Sequence, residues 1–141
     1  MPFSQTDIGV EILRLTLRCR DIDKHLSAKV DLSIDEMHCL CVIYSEKPSC
    51  VKKVSEFLDV NATRTSKILS NLERRGFITR TIDLSDHRKE QITLTGDGTH
   101  VVEKILSLYT QVGSKMSGDW SSDVIAEISN LLQTVELTSI T

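Results

Sequence analysis

The sequence predicts a mainly helical fold with one small β-hairpin, an α+β arrangement organised around two short helices joined by a tight turn. Three observations carry this. Apolar residues recur at three- and four-residue steps in six segments, the spacing that lines one face of a helix. Glu90-Gln91-Ile92-Thr93-Leu94 alternates instead with period two, and Phe77-Ile78-Thr79-Arg80-Thr81-Ile82 has strand composition. Between these strands lies Asp83-Leu84-Ser85-Asp86-His87-Arg88-Lys89, too polar to join a core, so the pair reads as a hairpin with a charged tip.

Thr6 or Ser4 is placed to cap a first helix running to about Val30. Ile8, Ile12, Leu15, Cys19, Ile22 and Leu26 form a long heptad-like seam, widened by Leu13 and Leu17. Ser33 caps a second helix, with Glu36 three residues on as in a capping box. Met37, Leu40, Cys41 and Tyr44 are its expected inward face. Lys47-Pro48 ends it, because the residue before proline avoids helix. Ser49-Cys50 is expected to form a one- or two-residue strand beside the hairpin.

Val51, Val54 and Leu58 line a third helix, which Asp59-Val60-Asn61 interrupts. Asn61 suits the N-cap of a fourth helix reaching about Arg75, and Gly76 suits the left-handed position after it. Ile68, Leu69 and Leu72 mark the buried side. The other side carries Thr63, Arg64, Ser66, Lys67, Ser70, Asn71 and Arg74, a face of hydrogen-bonding groups and cations. Such a face is either solvated or meets a polar partner, and a helix fits the major groove of DNA with its first residues at base edges and phosphates. The hairpin favours the second reading: a basic tip beside a helix-turn-helix is a wing, whose cations reach phosphates or a narrow minor groove. The expected DNA-facing residues are Asn61, Thr63, Arg64, Ser66, Lys67, Asn71 and Arg74 on the helix, with Asp86, His87, Arg88 and Lys89 on the wing.

Charge is distributed accordingly. The chain of 141 residues carries a net −3, yet Lys47 to Glu90 holds ten basic against six acidic residues, a net +4, and the remainder seven against fourteen, a net −7. Concentrated basic charge on one segment is a nucleic-acid footprint, and the acidic remainder discourages indiscriminate sticking.

Thr95-Gly96-Asp97-Gly98 opens a long helix to about Met116. Val101, Ile105, Leu108 and Val112 line one side, and Val102, Leu106, Tyr109 and Met116 the adjacent one, so burial on two sides is expected. Ser121 or Ser122 caps a last helix, with Val124, Ile128, Leu131 and Val135 in one row and Ile125 and Leu132 beside it. Apolar helices at both ends of a DNA-reading centre predict a twofold homodimer, with Ile12, Leu15, Cys19, Ile22, Ile128, Leu131 and Val135 at its interface. Such a dimer presents two heads to a pseudo-palindromic operator.

The run LERRGFITR, followed by D-x-x-D-x-R and LTGDG, resembles the winged-helix core of the MarR family of bacterial transcription regulators. The match covers about Leu32 to Gly98, and the flanking helices match in pattern. The resemblance implies a single domain over 1–141, with a DNA-binding core at about 32–98 and dimerisation helices at about 6–30 and 99–137. It implies a homodimeric repressor, released by a small aromatic or phenolic effector held between the dimerisation helices and the reading lobe. It also implies that Arg88 enters the minor groove and that Asp86 orients it. Two positions depart from the family pattern. Asp59 stands where a glycine is usual, and Thr65 where an aliphatic residue is usual. Asp tolerates turn conformations; the threonine is expected to loosen packing of the fourth helix.

Other functions find less support. No apolar run reaches the ~20 residues of a membrane span, and MPFSQTD lacks the layout of a signal peptide, so a cytosolic chain with reduced thiols is expected. No G-x-S-x-G, P-loop, G-x-G-x-x-G or H-E-x-x-H motif is present, and neither an enzyme nor a cofactor is expected. Metal sensing would use His38 by resemblance, with His25 and His100 as further histidines, but Arg20 and Leu26 occupy the positions where ligands would stand. Redox sensing would use Cys19, whose place on the apolar seam argues for an inert thiol, or an exposed Cys39 or Cys50. A winged helix that binds protein and never DNA is the remaining alternative.

Overall fold

A computed structural model describes residues 7–48, 50–82, 85 and 90–135. Among these, six helices and one hairpin follow in the order α1 (Ile8–Lys29), α2 (Ile34–Glu46), α3 (Val51–Leu58), α4 (Ala62–Arg74), β1 (Ile78–Ile82), β2 (Glu90–Leu94), α5 (Gly96–Met116) and α6 (Ser122–Gln133). The chain divides into two compact units, one up to Ser107 and one from Leu108, with the boundary inside α5.

Local chemistry sets the helix ends. Ser33 Oγ accepts from Glu36 N–H at 3.1 Å, Asn61 Oδ1 from Arg64 N–H at 2.8 Å and Ser121 Oγ from Val124 N–H at 3.2 Å, each satisfying a first-turn donor. The first helix differs from expectation: its cap is Asp7, whose Oδ1 accepts from Gly9 N–H at 2.8 Å, while Ser4 and Thr6 lie outside the described residues. A carboxylate there also faces the positive end of the helix dipole. Cys50 is likewise not in a strand. Its backbone is extended, φ −160° and ψ 163°, but it is the N-cap of α3, and Ser49 lies outside the described residues.

The first unit has a contiguous core. Met37, Cys39, Leu40 and Ile43 of α2 meet Val54 of α3, Ile68, Leu69 and Leu72 of α4, and Ile78 of β1, all buried. The inward face of α2 is therefore turned from the expected one: Tyr44 is exposed and Cys41 half-buried, while Cys39 and Ile43 point inward. A helix packed against α1, α3, α4 and β2 buries more than one stripe. On α5, Val102 and Ile105 are buried, whereas Leu106 and Met116 are exposed.

The terminal helices behave otherwise. Of the α1 seam only Leu26 is buried; Ile8, Ile12, Leu15 and Cys19 are exposed and Ile22 half-buried. α6 buries nothing: Ile128 is half-buried, and Val124, Ile125, Leu131 and Leu132 are exposed, as is Val135 just beyond it. Within the second unit, Met116, Trp120, Ile125 and Ile128 line an open cleft of about 410 Å³.

Candidate nucleic-acid interface

The turn between α3 and α4 is built by residues that accept unusual backbone geometry. Asp59 ends α3 at φ 55° and ψ 44°, and its N–H donates to Ser55 C=O. This left-handed conformation is the one glycine favours, and Asp tolerates it better than most side chains. Asn61 then caps α4, so its side-chain oxygen is committed to the helix start.

Thr65 sits on the buried side of α4 and is wholly enclosed. Its hydroxyl donates to Asn61 C=O at 2.9 Å and accepts from Ser55 Oγ at 2.8 Å. The expected loosening is not what the structure shows: the hydroxyl has partners and ties α4 to α3.

Opposite this face, Thr63, Arg64, Lys67, Ser70 and Arg74 are exposed, with Ser66 and Asn71 half-buried at the margins. Arg74 Nη2 donates to Asn71 Oδ1 at 3.3 Å. The helix thus presents cations and amide or hydroxyl groups over about three turns, backed by Ile68, Leu69 and Leu72.

Two arginines of this region have partners far away in sequence. Arg64 Nη2 donates to Asp35 Oδ2 in the first turn of α2. Arg75 Nη1 donates to Asp31 C=O at 2.9 Å and to Glu36 Oε2 at 3.3 Å, and its guanidinium lies 5.2 Å from the centroid of the Phe77 ring. Neither pairing has a sequence signal. Asp35 and Glu36 read only as acidic residues suited to the start of a helix.

The wing is pinned at its base. β1 and β2 pair antiparallel with Arg80 opposite Ile92 and Ile82 opposite Glu90. Ile78 and Ile92 are buried on one face, and on that face Arg80 Nε donates to Glu90 Oε1 at 2.6 Å. Thr95 N–H donates to Phe77 C=O at 3.0 Å and its Oγ1 to Gly76 C=O at 2.6 Å. A Cβ at Gly98 would come within 2.0 Å of Phe77 O, so only glycine admits this closure of wing and α5. The expected tip residues Asp86, His87, Arg88 and Lys89 lie outside the described residues.

The sites of the rival functions are dispersed. His38 Nε2 lies 3.2 Å from Asp23 Oδ2, His25 and His100 are exposed, and no group of three or more metal-ligating side chains forms among the described residues. Cys39, one of two thiols offered as exposed alternatives to Cys19, is fully buried, and burial with the nearby Glu36 and Asp35 charges pushes it up to about 12. Burial also raises Cys41. Cys50 is half-buried, whereas Cys19, expected to be shielded on the seam, is exposed in the single chain.

Residues 32–89, which contain this helix-turn-helix and the start of the wing, match the family model described as MarR family. Over this segment the chain matches the winged-helix core of the MarR family of transcription regulators. It is 29% identical over 114 residues to the organic hydroperoxide resistance transcriptional regulator of Bacillus subtilis, covering 79% of this chain and 78% of that one. It spans about two fifths of the length of several other regulators it matches. Among solved structures, apo wild-type MarR of Escherichia coli superimposes with a TM-score of 0.77 at 18% identity, over 93% of this chain and 97% of that chain. A mutant of MepR from Staphylococcus aureus, bound to an oligodeoxyribonucleotide, gives 0.65 at 20% identity, over 97% and 100%. At these identities the structural likeness concerns the fold. No helix among the described residues is long and apolar enough to cross a membrane.

Proposed function

We propose that the chain is a sequence-specific DNA-binding repressor that works in the cytosol as a homodimer on a pseudo-palindromic operator. The observation that carries this is the two-sidedness of α4. It buries Thr65, Ile68, Leu69 and Leu72 and leaves Thr63, Arg64, Lys67, Ser70 and Arg74 to solvent, within a segment of the chain that carries a net +4. The DNA-bound state of the MepR mutant supports the same use of the fold. The test is a binding titration, at several salt concentrations, on duplexes selected from a random pool. Arg64→Ala should cost about 1–3 kcal/mol if Arg64 reads a base, and Lys67→Ala should weaken all duplexes alike if Lys67 holds a phosphate. On the wing, Arg88→Ala should lower the salt slope by about one. Unchanged binding in all three variants would remove the assignment.

Dimerisation rests on the exposed apolar rows of α1 and α6. Sedimentation at micromolar concentration should give about 32 kDa, twice the 15.8 kDa chain. Release by a small aromatic or phenolic effector would follow from a ligand that favours dimers whose heads are misplaced for the operator. One observation favours a thiol-responsive version of the same repressor: Cys19, on the α1 row offered to the dimer, is exposed in the single chain, and a relative is named for organic hydroperoxide resistance. Cys19→Ser separates the two, because it should abolish release by hydroperoxide and leave release by a phenolic ligand intact.

A further inference from the structure

We propose that Asp35 is a specificity-determining positioning residue: it holds the Arg64 guanidinium so that its remaining edge reads a guanine in the major groove. The inference rests on the reading of α4 as the DNA-facing helix. Arg64 is the third residue of α4, in the part of a recognition helix that meets base edges. Its backbone is fixed, since its N–H donates to Asn61 Oδ1 at 2.8 Å. Its side chain reaches the first turn of α2, where Asp35 Oδ2 accepts from Nη2.

The partners differ in freedom. The Asp35 side chain is 28% exposed, on a helix whose Met37 and Leu40 are fully buried; that of Arg64 is 62% exposed. The carboxylate is therefore the anchor and the guanidinium the piece being aimed. Arginine carries its donors in one rigid plane. With Asp35 on the Nη2 hydrogen beside Nε, the other Nη2 hydrogen and its Nη1 neighbour would form the parallel pair that matches guanine O6 and N7. Beside the pair, an open cleft of about 660 Å³ between the start of α2 and α4 gives an unheld Arg64 room to turn elsewhere. An exposed ion pair contributes little to stability, so holding the helices together does not account for it.

Removing Asp35 then has two consequences of opposite sign. The freed arginine can reach phosphates, which are the same in every sequence, and the surface loses a negative charge that repels DNA. Affinity for unrelated duplex should hold or rise while discrimination at one base pair falls.

The experiment uses the intact protein and sites selected from a random duplex pool. Wild type, Asp35→Ala, Arg64→Ala and the double variant are titrated on the selected site, on versions with each guanine replaced, and on a scrambled duplex. In wild type, replacing one guanine per half-site should weaken binding about five- to hundredfold, and Arg64→Ala should abolish that penalty. Asp35→Ala should shrink it to within about twofold while binding scrambled duplex at least as tightly as wild type. The double variant should match Arg64→Ala in base preference, and Asp35→Glu should restore part of the guanine penalty. The proposal is overturned if Asp35→Ala keeps the full penalty, if no guanine in the selected site depends on Arg64, or if Asp35→Ala weakens selected and scrambled duplexes alike. A wild-type chain that selects nothing from the pool would remove the DNA reading itself; selection with an unaltered preference in Asp35→Ala removes only the role of Asp35.

Discussion

Helices α4 and α6 are nearly equal in length, 13 and 12 residues, and treat their apolar residues in opposite ways. α4 has only three large aliphatic residues, Ile68, Leu69 and Leu72, and buries all of them. α6 has Val124, Ile125, Ile128, Leu131 and Leu132 and buries none. Both are amphipathic, so periodicity shows that a face wants cover without showing where the cover comes from. For α4 it comes from α2, α3 and β1 of the same unit. Single exposed leucines are ordinary, but a row at helical spacing, with Leu131 61% and Leu132 64% exposed, calls for a second surface. The bare faces differ too: cationic and hydrogen-bonding on α4, apolar on α6. The α4 face suits a wet, anionic partner and the α6 face a dry one.

Truncating one residue on each helix separates the two cases. Leu72→Ala should cost about 2–5 kcal/mol of unfolding free energy, measured from urea midpoints by circular dichroism. Leu131→Ala, measured in chain dilute enough to be monomeric, should stay within about 0.5 kcal/mol of wild type. Equal losses would mean that the α6 face is already covered inside the chain. The second test acts on association. Leu131→Glu places a charge on the face proposed to leave water in the dimer, so the dimer dissociation constant should rise about tenfold or more. Sedimentation over a concentration series would show it, and an unchanged constant would put the interface elsewhere.

Much of the reading core was legible because its signals are local. Ser33, Asn61 and Ser121 cap helices as their side chains and spacing require, and β2 has the expected bounds Glu90–Leu94. The errors arose where local chemistry offered more than one answer. Thr6, Ser4 and Asp7 can each cap a helix, and Asp7 does. Cys50 is extended as a strand residue is, but an extended backbone is equally the geometry of an N-cap. Tyr44 has the right spacing for one buried face of α2 and lost to Ile43, because α2 is packed by several neighbours. The partner of Arg64 was not legible: Asp35 lies 29 residues away, and no pattern in one sequence records a contact made by the crossing of two helices.

Thiols repeat the contrast between covered and bare, and pH makes it measurable. Burial, then the charges of Glu36 and Asp35, carry Cys39 from an ordinary 9.0 up to about 12. Below pH 9 both folded and unfolded chains keep this proton, and the group adds no pH dependence. Between pH 9 and about 12 the unfolded chain loses the proton and the folded one keeps it, so stability falls as pH rises, by up to about 1.4 kcal/mol per pH unit. Cys41 shifts in the same direction, so the measurement is a difference. Cys39→Ala should flatten the alkaline limb relative to wild type in urea titrations at pH 8.5 and 10, values chosen at roughly the two sides of the unfolded thiol. An identical slope in both proteins would show that Cys39 ionises in the folded chain as readily as in the unfolded one.

A smaller loss is expected at the one polar residue that α4 buries. Thr65 is enclosed as fully as Leu69, and its hydroxyl joins Asn61 C=O and Ser55 Oγ. Thr65→Val keeps the shape and supplies an aliphatic side chain. Apolar packing alone predicts a gain. The hydrogen bonds predict a loss of about 0.5–1.5 kcal/mol, because Asn61 C=O and Ser55 Oγ each lose a partner. Ser55 is less harmed than it first looks, since its hydroxyl also reaches Val51 C=O at 3.0 Å. A hydroxyl has one hydrogen, so the proton that Thr65 accepts can turn to Val51 when Thr65 is gone. The loss should therefore sit near the lower end, and most of it should come from Asn61 C=O, which still accepts from the backbone N–H of Thr65 at 3.0 Å. Ser55→Ala added to Thr65→Val should cost less than the sum of the single changes, because the second deletion removes a group already deprived of its partner. If the two changes simply add, the hydroxyls do not act as a pair, and α4 is held to α3 by its aliphatic residues alone.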